Sequence, residues 1–284
     1  MSVNSYNIFI KKMLKISLIC SILFIPIWAI FIEPNMLLIN RIKLDLPNWP
    51  KNKKNFKVLF ISDLHTGSPF NNIDKLKRIV KLSNKENPDI VLLGGDYVIY
   101  GVIGGKFIPT EIVAKILSKI NSKHGFITVL GNHDWWKDGD KSRKSLEKYG
   151  FIVLENESIN IANKNERPIW IAGLADSTER VVDIGKTLKQ VKFGEPVIML
   201  THEPDIFPQI PDAVSLTLAG HTHGGQVRLP FIGSIFTASI YGDKYAKGYI
   251  VENGKRLFVT TGVGTSILPI RFLCPPEIVI LEIK

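Results

Sequence analysis

The sequence contains too little cysteine for two common kinds of small scaffold. Only two cysteines occur in its 284 residues, which excludes a disulfide framework and a Cys-type zinc finger. Cys20 lies in an apolar run and Cys274 lies near the far end of the chain, so buried packing is the expected role of each. Glycine and proline show no period, which excludes a collagen-like repeat.

The composition does provide enough apolar residues for a large core. Hydrophobic residues make up 45% and charged residues 22% of the chain, which is typical of a globular protein and excludes general disorder. Basic residues exceed acidic ones by 36 to 26, which leaves a net charge of +10. This surplus favours anionic partners: nucleic acid, phospholipid head groups or phosphorylated substrates.

An uncharged apolar run extends from Ile16 to Ile32 near the N-terminus. Its 17 residues are just enough to cross the hydrocarbon core of a bilayer. Because Ala29 stands alone, the run lacks the small-residue exit of a cleaved signal peptide. We therefore predict a membrane anchor over residues 1–33, single-pass or monotopic, at the cell membrane; a buried core helix is the alternative. Basic residues flank the run on both sides and leave the side of the catalytic domain open.

Strand and helix patterns alternate in the first half of the remaining chain. Continuous apolar runs predict buried strands at 56–62, 90–96 and 126–132, and periodic apolar residues predict helices at 73–82, 109–120 and 140–149. Short β-rich runs dominate later, at 151–154, 168–174, 196–201, 215–219, 248–252, 257–261 and 277–283. We predict an α/β domain over residues 56–284, preceded by a linker or lead-in strand at 34–55.

Polar clusters lie at the ends of five of the predicted strands or directly after them. They are Asp63-Leu64-His65, Gly94-Gly95-Asp96, Gly131-Asn132-His133-Asp134, Thr201-His202-Glu203 and Gly220-His221-Thr222-His223. Ligands of α/β sheets bind at the carboxyl ends of the strands, so these clusters should converge. One such histidine is more often structural than a ligand. Five of the six histidines fall in the clusters, however, and this predicts a metal site.

The motifs resemble those of the calcineurin-like metallophosphoesterases. That family carries D-x-H, G-D, G-N-H-[DE], H and G-H-x-H in this order, and the chain has DLH, GGD, GNHD, His202 and GHTH in the same order. The resemblance covers about residues 56–284 and is closest to a membrane-linked bacterial branch that shares GHTHGGQ and the stretch at 261–278. It implies two packed mixed β-sheets flanked by helices, the four-layer sandwich of that family.

The resemblance also implies a role for each motif residue. The implied metal ligands are Asp63, His65 and His223 for one ion and Asn132, His202 and His221 for the other, with Asp96 bridging both. His133 would be catalytic, next to the phosphate, and Asp134 would orient it. No implied ligand is missing from the sequence.

Histidine and carboxylate ligands without thiolate suit Mn²⁺, iron or Zn²⁺. We expect two divalent ions, with Mn²⁺ as the first choice. Such a pair clamps both ends of a phosphoryl displacement and generates a bridging hydroxide that attacks phosphorus. Because Asn132 is neutral, the centre keeps a positive charge that attracts a phosphodiester or a pyrophosphate.

Three further residues are candidates for substrate binding. Arg228 and Arg271 are candidate phosphate contacts. Trp135, with its neighbour Trp136, is a candidate for stacking on a base or sugar or for insertion at a membrane surface; core packing is the alternative for either tryptophan. The apolar segment at 227–236 indicates either core or a lipid-facing groove. Together with the predicted anchor it favours a lipid-linked substrate such as UDP-2,3-diacylglucosamine, which relatives of this branch hydrolyse in lipid A biosynthesis.

Two other functions fit parts of the pattern. A nuclease with the same metal site fits the positive charge, but a membrane anchor does not suit it, so we expect no nucleic-acid partner. A scaffold that keeps the fold without catalysis would not need a complete set of ligands. We therefore predict a membrane-anchored metallophosphoesterase.

Overall fold

The computed structural model describes residues 7, 9–15, 24–51, 55–163 and 166–284. Its strands are β1 (Leu38–Leu44), β2 (Phe56–Ile61), β3 (Ile90–Leu93), β4 (Phe126–Thr128), β5 (Phe151–Val153), β6 (Glu157–Asn160), β7 (Trp170–Gly173), β8 (Val197–Leu200), β9 (Leu216–Ala219), β10 (Arg228–Leu229), β11 (Gly233–Ser234), β12 (Gly248–Glu252), β13 (Lys255–Val259) and β14 (Glu277–Ile283). Its α-helices are α1 (Ile73–Glu86), α2 (Thr110–Leu117), α3 (Asn132–Lys148) and α4 (Ile184–Leu188).

The strands form two mixed sheets and a small hairpin. The first sheet has the order β1-β14-β2-β3-β4-β5, and the second has the order β12-β13-β9-β8-β7-β6. In the first sheet only the β14–β2 pair is antiparallel. In the second, β13, β9, β8 and β7 run parallel between antiparallel edge strands. Strands β10 and β11 pair with each other in an antiparallel hairpin.

Burial of both faces explains the continuous apolar runs of the first sheet. Leu59 and Ile61 of β2 face the helices and share a core with Leu76 of α1. Their neighbours Val58 and Phe60 point the other way, toward the second sheet. A third cluster of apolar residues covers the outer face of the second sheet. The predicted architecture, two mixed sheets flanked by helices, is confirmed.

The observed strands β2, β3 and β4 begin where the predicted ones do but end earlier. Strand β2 stops at Ile61, β3 at Leu93 and β4 at Thr128, so the polar motif residues lie in loops after each strand. The sequence does not predict strand β6, which lacks a strong apolar pattern, or the β10–β11 hairpin, whose strands are only two residues long. Strand β1 falls within the range 34–55 and pairs in parallel with β14 from Leu38 to Leu44.

The predicted anchor, residues 1–33, lies partly outside the described residues, which omit 1–6, 8 and 16–23. Its last residues, Trp28–Ile32, form a turn of π-helix, followed by a 3₁₀ turn at Glu33–Asn35. No helix in the described ranges is both long and apolar enough to span a bilayer.

We expect Leu281→Ala to lower the free energy of unfolding by about 2–5 kcal/mol, because Leu281 is fully buried between the two sheets. Val251→Ala on the exposed edge strand β12 is the control and should change it by less than about 0.5 kcal/mol. Urea denaturation followed by circular dichroism measures both. Equal losses would contradict the packing described for β14.

Candidate metal centre

The first group of motif side chains comes from the loops after β2 and β9. Asp63 and His65 come after β2, and His223 begins a short 3₁₀ turn after β9. The Nε2 atoms of His65 and His223 lie 3.0 Å apart. Nε2 of His223 is also 3.7 Å from Oδ1 of Asp63. All three side chains are buried, with their donor atoms within 4.8 Å of one another.

The second group comes from α3 and from the loops after β8 and β9. Oδ1 of Asn132, the first residue of α3, lies 3.1 Å from Nε2 of His202 and 3.1 Å from Nδ1 of His221. Those two ring nitrogens are 3.2 Å apart. Nδ1 of His202 lies 2.7 Å from the carbonyl oxygen of Gly94. This contact fixes the ring so that Nε2 faces the other donors.

Asp96 lies between the two groups. Its Oδ2 is 3.3 Å from Nε2 of His65 and 3.2 Å from Nε2 of His202. Its Oδ1 accepts a hydrogen bond of 2.9 Å from the backbone N–H of His133. One carboxylate oxygen therefore contacts a histidine of each group.

A glycine before α3 makes this close approach possible. Gly131 directly precedes Asn132, and a Cβ atom there would collide with the carboxylate of Asp96 and the ring of His202. The GNHD motif therefore needs glycine here because a larger side chain would not fit, and not because of the backbone φ angle.

Burial keeps three of the rings neutral. It lowers the pKa of His65 to about 3 and of His221 to about 4, and it lowers the pKa of His223 well below its usual range. Neutral imidazole is the form that binds metal ions. Burial also disfavours charge on His202 and Asp96, but their mutual attraction outweighs it, raising the pKa of His202 and lowering that of Asp96.

The donor set fits divalent cations. Oδ2 of Asp63 is buried and has no hydrogen-bond partner, and burial raises the pKa of this carboxyl to about 6. An unpaired buried oxygen among converging ring nitrogens is costly unless a cation neutralises it. Imidazole nitrogens and carboxylate oxygens are ligands for first-row transition metals.

His133 and Asp134 differ in how the structure places them. His133 lies at the site: its ring centroid is 4.5 Å from that of His65, and its Nδ1 has no partner. Asp134 accepts hydrogen bonds from the backbone N–H groups of Asp96, Tyr97 and Gly131 at 2.9–3.1 Å. These bonds hold the loops after β3 and β4 together. Asp134 thus acts on the backbone around Asp96, whereas the resemblance implied a contact with the His133 ring.

The three candidate substrate residues lie away from open solvent or carry other partners. Arg271 is fully buried and donates to the carbonyl oxygens of Thr261, Gly264 and Cys274, with Nη2 3.4 Å from Nδ1 of His223. These contacts support the loop that carries His223. Because Arg271 is buried beneath that loop, it is not placed to meet a phosphate.

Arg228 and Trp135 are also engaged elsewhere. Arg228 makes a bidentate ion pair with Asp243, at 2.7 and 2.9 Å. Trp135 packs against the first core, and Arg180 stacks on its ring at 4.6 Å. Its neighbour Trp136 is the tryptophan at the site, with its ring 4.8 Å from that of His133. Sequence reasoning could not choose between adjacent tryptophans.

A cavity of about 640 Å³ opens beside the donor cluster. Asp96, His133, His221 and His223 line its polar end. The rest of its wall is mostly apolar and includes Tyr100, Trp136, Ile235, Phe236, Ile267, Leu268 and Ile270. The cavity therefore joins a potential cation site to an apolar compartment.

The comparisons with known proteins agree with this geometry. Residues 56–225 match the sequence family described as calcineurin-like phosphoesterase. The chain belongs to this family. As a calcineurin-like phosphoesterase it is a hydrolase of phosphoester bonds, which confirms the enzyme class expected from the motifs.

Three relatives illustrate the range of the family. Uncharacterized metallophosphoesterase YkuE of Bacillus subtilis is 32% identical, over 90% of this chain and 89% of that protein. Phosphodiesterase YaeI of Escherichia coli is 31% identical, over 80% of this chain and 82% of that protein. A transmembrane protein with metallophosphoesterase domain of Danio rerio is 27% identical, over 86% of this chain but only 56% of that protein.

Asp176 is a buried carboxyl group that sequence reasoning did not single out, and it neighbours Glu203 of the Thr201-His202-Glu203 cluster. Oδ1 of Asp176 accepts hydrogen bonds from Thr178 and Glu179, while Oδ2 has no partner. Burial, and then the neighbouring Glu203, raise the pKa of Asp176 to about 7. Asp176 comes directly after a short run of apolar residues at 169–175, and no motif marks it.

The raised pKa of Asp176 predicts how the stability of the chelated enzyme depends on pH. The folded state favours the protonated carboxyl, so this stabilisation is complete at low pH and is lost as pH rises through about 7. The free energy of unfolding in EDTA should therefore fall as pH rises between about 4 and 7, by up to about 1.4 kcal/mol per pH unit from this carboxyl, and this contribution should level off above pH 7. Asp176→Asn should flatten the slope, as measured by urea denaturation across this range.

Asp243→Asn is the control for this experiment. The pKa of Asp243 lies below its usual value: its hydrogen bonds to Arg228 and Ser234 outweigh burial, so this carboxyl is already ionised near neutral pH. Its removal should leave the slope unchanged. An unaltered slope in Asp176→Asn would show that Asp176 is not the titrating group.

Proposed function

We propose that this enzyme is a dinuclear metal-dependent phosphoesterase that cleaves a phosphodiester or pyrophosphate bond. The observation that carries the proposal is the position of Asp96, whose one oxygen contacts His65 and His202 from two separate donor groups. One ion would be held by Asp63, His65 and His223, with Asp96 as a shared ligand. The second would be held by Asn132, His202 and His221, with the same Asp96.

Two divalent ions, when bound, supply an activated hydroxide and electrostatic stabilisation of the transition state. Mn²⁺ is our first choice, because the donors are nitrogen and oxygen without thiolate. In the metal-free protein the ionised carboxylate of Asp96 raises the pKa of His202, which favours a proton on this ring. Binding of cations should therefore release a proton and weaken at acidic pH.

His133 is the proposed catalytic residue among groups that are not ligands. It lines the cavity, and its backbone N–H is fixed by Asp96 at 2.9 Å. Burial lowers the pKa of its imidazole, so the neutral ring donates a hydrogen bond to a phosphate oxygen or to the departing oxygen. Asp134 keeps the loops of Asp96 and Gly131 in place beneath it.

The apolar wall of the cavity supports a lipid-linked substrate, of which UDP-2,3-diacylglucosamine is one example. A phosphate at the polar end would leave an attached acyl or aromatic group against Trp136, Ile235 and Phe236. We also propose attachment to the cell membrane through the apolar run at 16–32, which the name of the Danio rerio relative supports.

We expect His133→Ala to lower kcat for a chromogenic phosphodiester by about 10²–10⁴-fold while the bound metal content stays unchanged. Asp96→Asn should remove both activity and metal, because the shared carboxylate is lost. Steady-state kinetics and elemental analysis of the purified Mn²⁺ enzyme measure the two effects. His124→Ala, which removes a histidine that packs on Phe56 outside the site, is the control. Full activity in His133→Ala would contradict the assigned role.

A further inference from the structure

Unusually exposed apolar side chains surround the mouth of the cavity. We call them the apolar rim. Phe231 is fully exposed, and the other members are Ile232 (72% exposed), Ile235 (65%), Phe236 (71%), Ile267 (63%) and Leu268 (44%). Soluble proteins rarely expose so many large apolar groups together, and such patches mark binding surfaces.

The hairpin β10–β11 that carries much of the rim is well supported. Phe231 lies at its turn, between Leu229 and Gly233. At its base Arg228 pairs with Asp243, which also accepts a hydrogen bond from the backbone of Ser234 at 3.2 Å. The exposed side chains are thus presented by a braced element.

The second part of the rim is joined to neighbouring loops. The backbone N–H of Ile103, itself exposed, donates to the carbonyl of Ile267 at 3.0 Å. Gln226 also reaches across, and its side chain binds the backbone of Ser266. The cavity wall contains members of both parts, which places them around one opening.

The end of the N-terminal apolar run adjoins the same region. The N–H of Arg271 donates to the carbonyl of Ala29 at 2.9 Å, and the N–H of Phe272 donates to the carbonyl of Gln226 at 2.8 Å. Loop 271–273 therefore lies between the N-terminal segment and the base of the hairpin. Phe24, Ile27 and Phe31 of that segment are also about half exposed.

We propose that the apolar rim docks on a lipid bilayer that contains anionic phospholipid. Continuity with the uncharged run at 16–32 and a net charge of +10 favour this partner. Single protruding side chains on a hairpin turn also suit insertion between lipid head groups. This inference deepens the proposed function: the cavity opens at the bilayer surface, so that a lipid can bring its phosphate to the donor cluster while its acyl chains remain in apolar surroundings.

Phe231→Trp in the full chain tests insertion directly. Phe193 provides a matched control, because it is also fully exposed but precedes β8, at the opposite end of that strand from His202. The chain is bound to vesicles of phosphatidylglycerol and phosphatidylcholine with brominated acyl chains, which quench tryptophan that reaches them. After subtraction of the native tryptophan signal, Phe231→Trp should lose fluorescence and Phe193→Trp should not.

Two results would overturn the proposal. One is equal quenching of the two variants while the chain remains on the vesicles. The other is a concentration-dependent blue shift of Phe231→Trp without vesicles, which would identify a second copy of the chain as the occupant of the rim. Neither readout needs hydrolysis, so an inactive His133→Ala chain should insert as well as the native one.

A kinetic comparison links insertion to the site. The double variant Phe231→Asp, Ile232→Asp should raise KM for a phosphodiester lipid presented in the same vesicles. Its KM for a water-soluble diester should stay unchanged, since neither residue lines the cavity. Phe193→Asp should alter neither value. An unchanged KM for the vesicle lipid would overturn docking by the rim, whereas loss of all activity with intact insertion would count against the proposed function alone.

Discussion

The shared carboxylate of Asp96 is the constraint on which the arrangement depends. It lies in the loop after β3 of the first sheet, yet it contacts His202, which comes after β8 of the second. A buried carboxylate is stable only when neighbouring groups replace its lost hydration. The packing of the two sheets must therefore bring their strand ends to within hydrogen-bonding distance. The geometry of the candidate metal centre therefore depends on the packing of the core between the sheets.

The loops reach this point through uncommon backbone angles. Five site residues have a left-handed φ: Asp63 (52°), His65 (39°), Asp96 (56°), His221 (69°) and His223 (51°). Each such residue costs about 1–3 kcal/mol and persists only where surrounding contacts fix it. Here backbone hydrogen bonds join the loops after β2 and β3, including those from Asp63 to Gly95 and from His65 to Asp96. The left-handed backbone conformation at these positions turns polar side chains inward, toward the cluster.

Most of the fold, and the convergence of the motif side chains, could be predicted because both depend on regular patterns. Apolar runs mark the strands, and the parallel arrangement brings the loops at their carboxyl ends to one edge of the sheet. Side chains with irregular surroundings could not be placed in the same way. Burial of Arg271 depends on carbonyl groups of non-repetitive loops, and the partners of Asp134 are backbone groups that no residue type reveals. Trp136 rather than Trp135 reaches the cavity because of the exact phase at which α3 begins.

Glu33 determines how the N-terminal segment meets the rest of the enzyme. Its buried carboxylate accepts hydrogen bonds from the backbone N–H groups of Leu273 and Cys274 and from the indole of Trp28. These hydrogen bonds join residues 28–33 to the loop that carries Arg271. The end of the segment is thus held against the body of the enzyme at this point. If this segment holds the enzyme at a membrane, as proposed, these contacts also set the orientation of the cavity relative to that membrane.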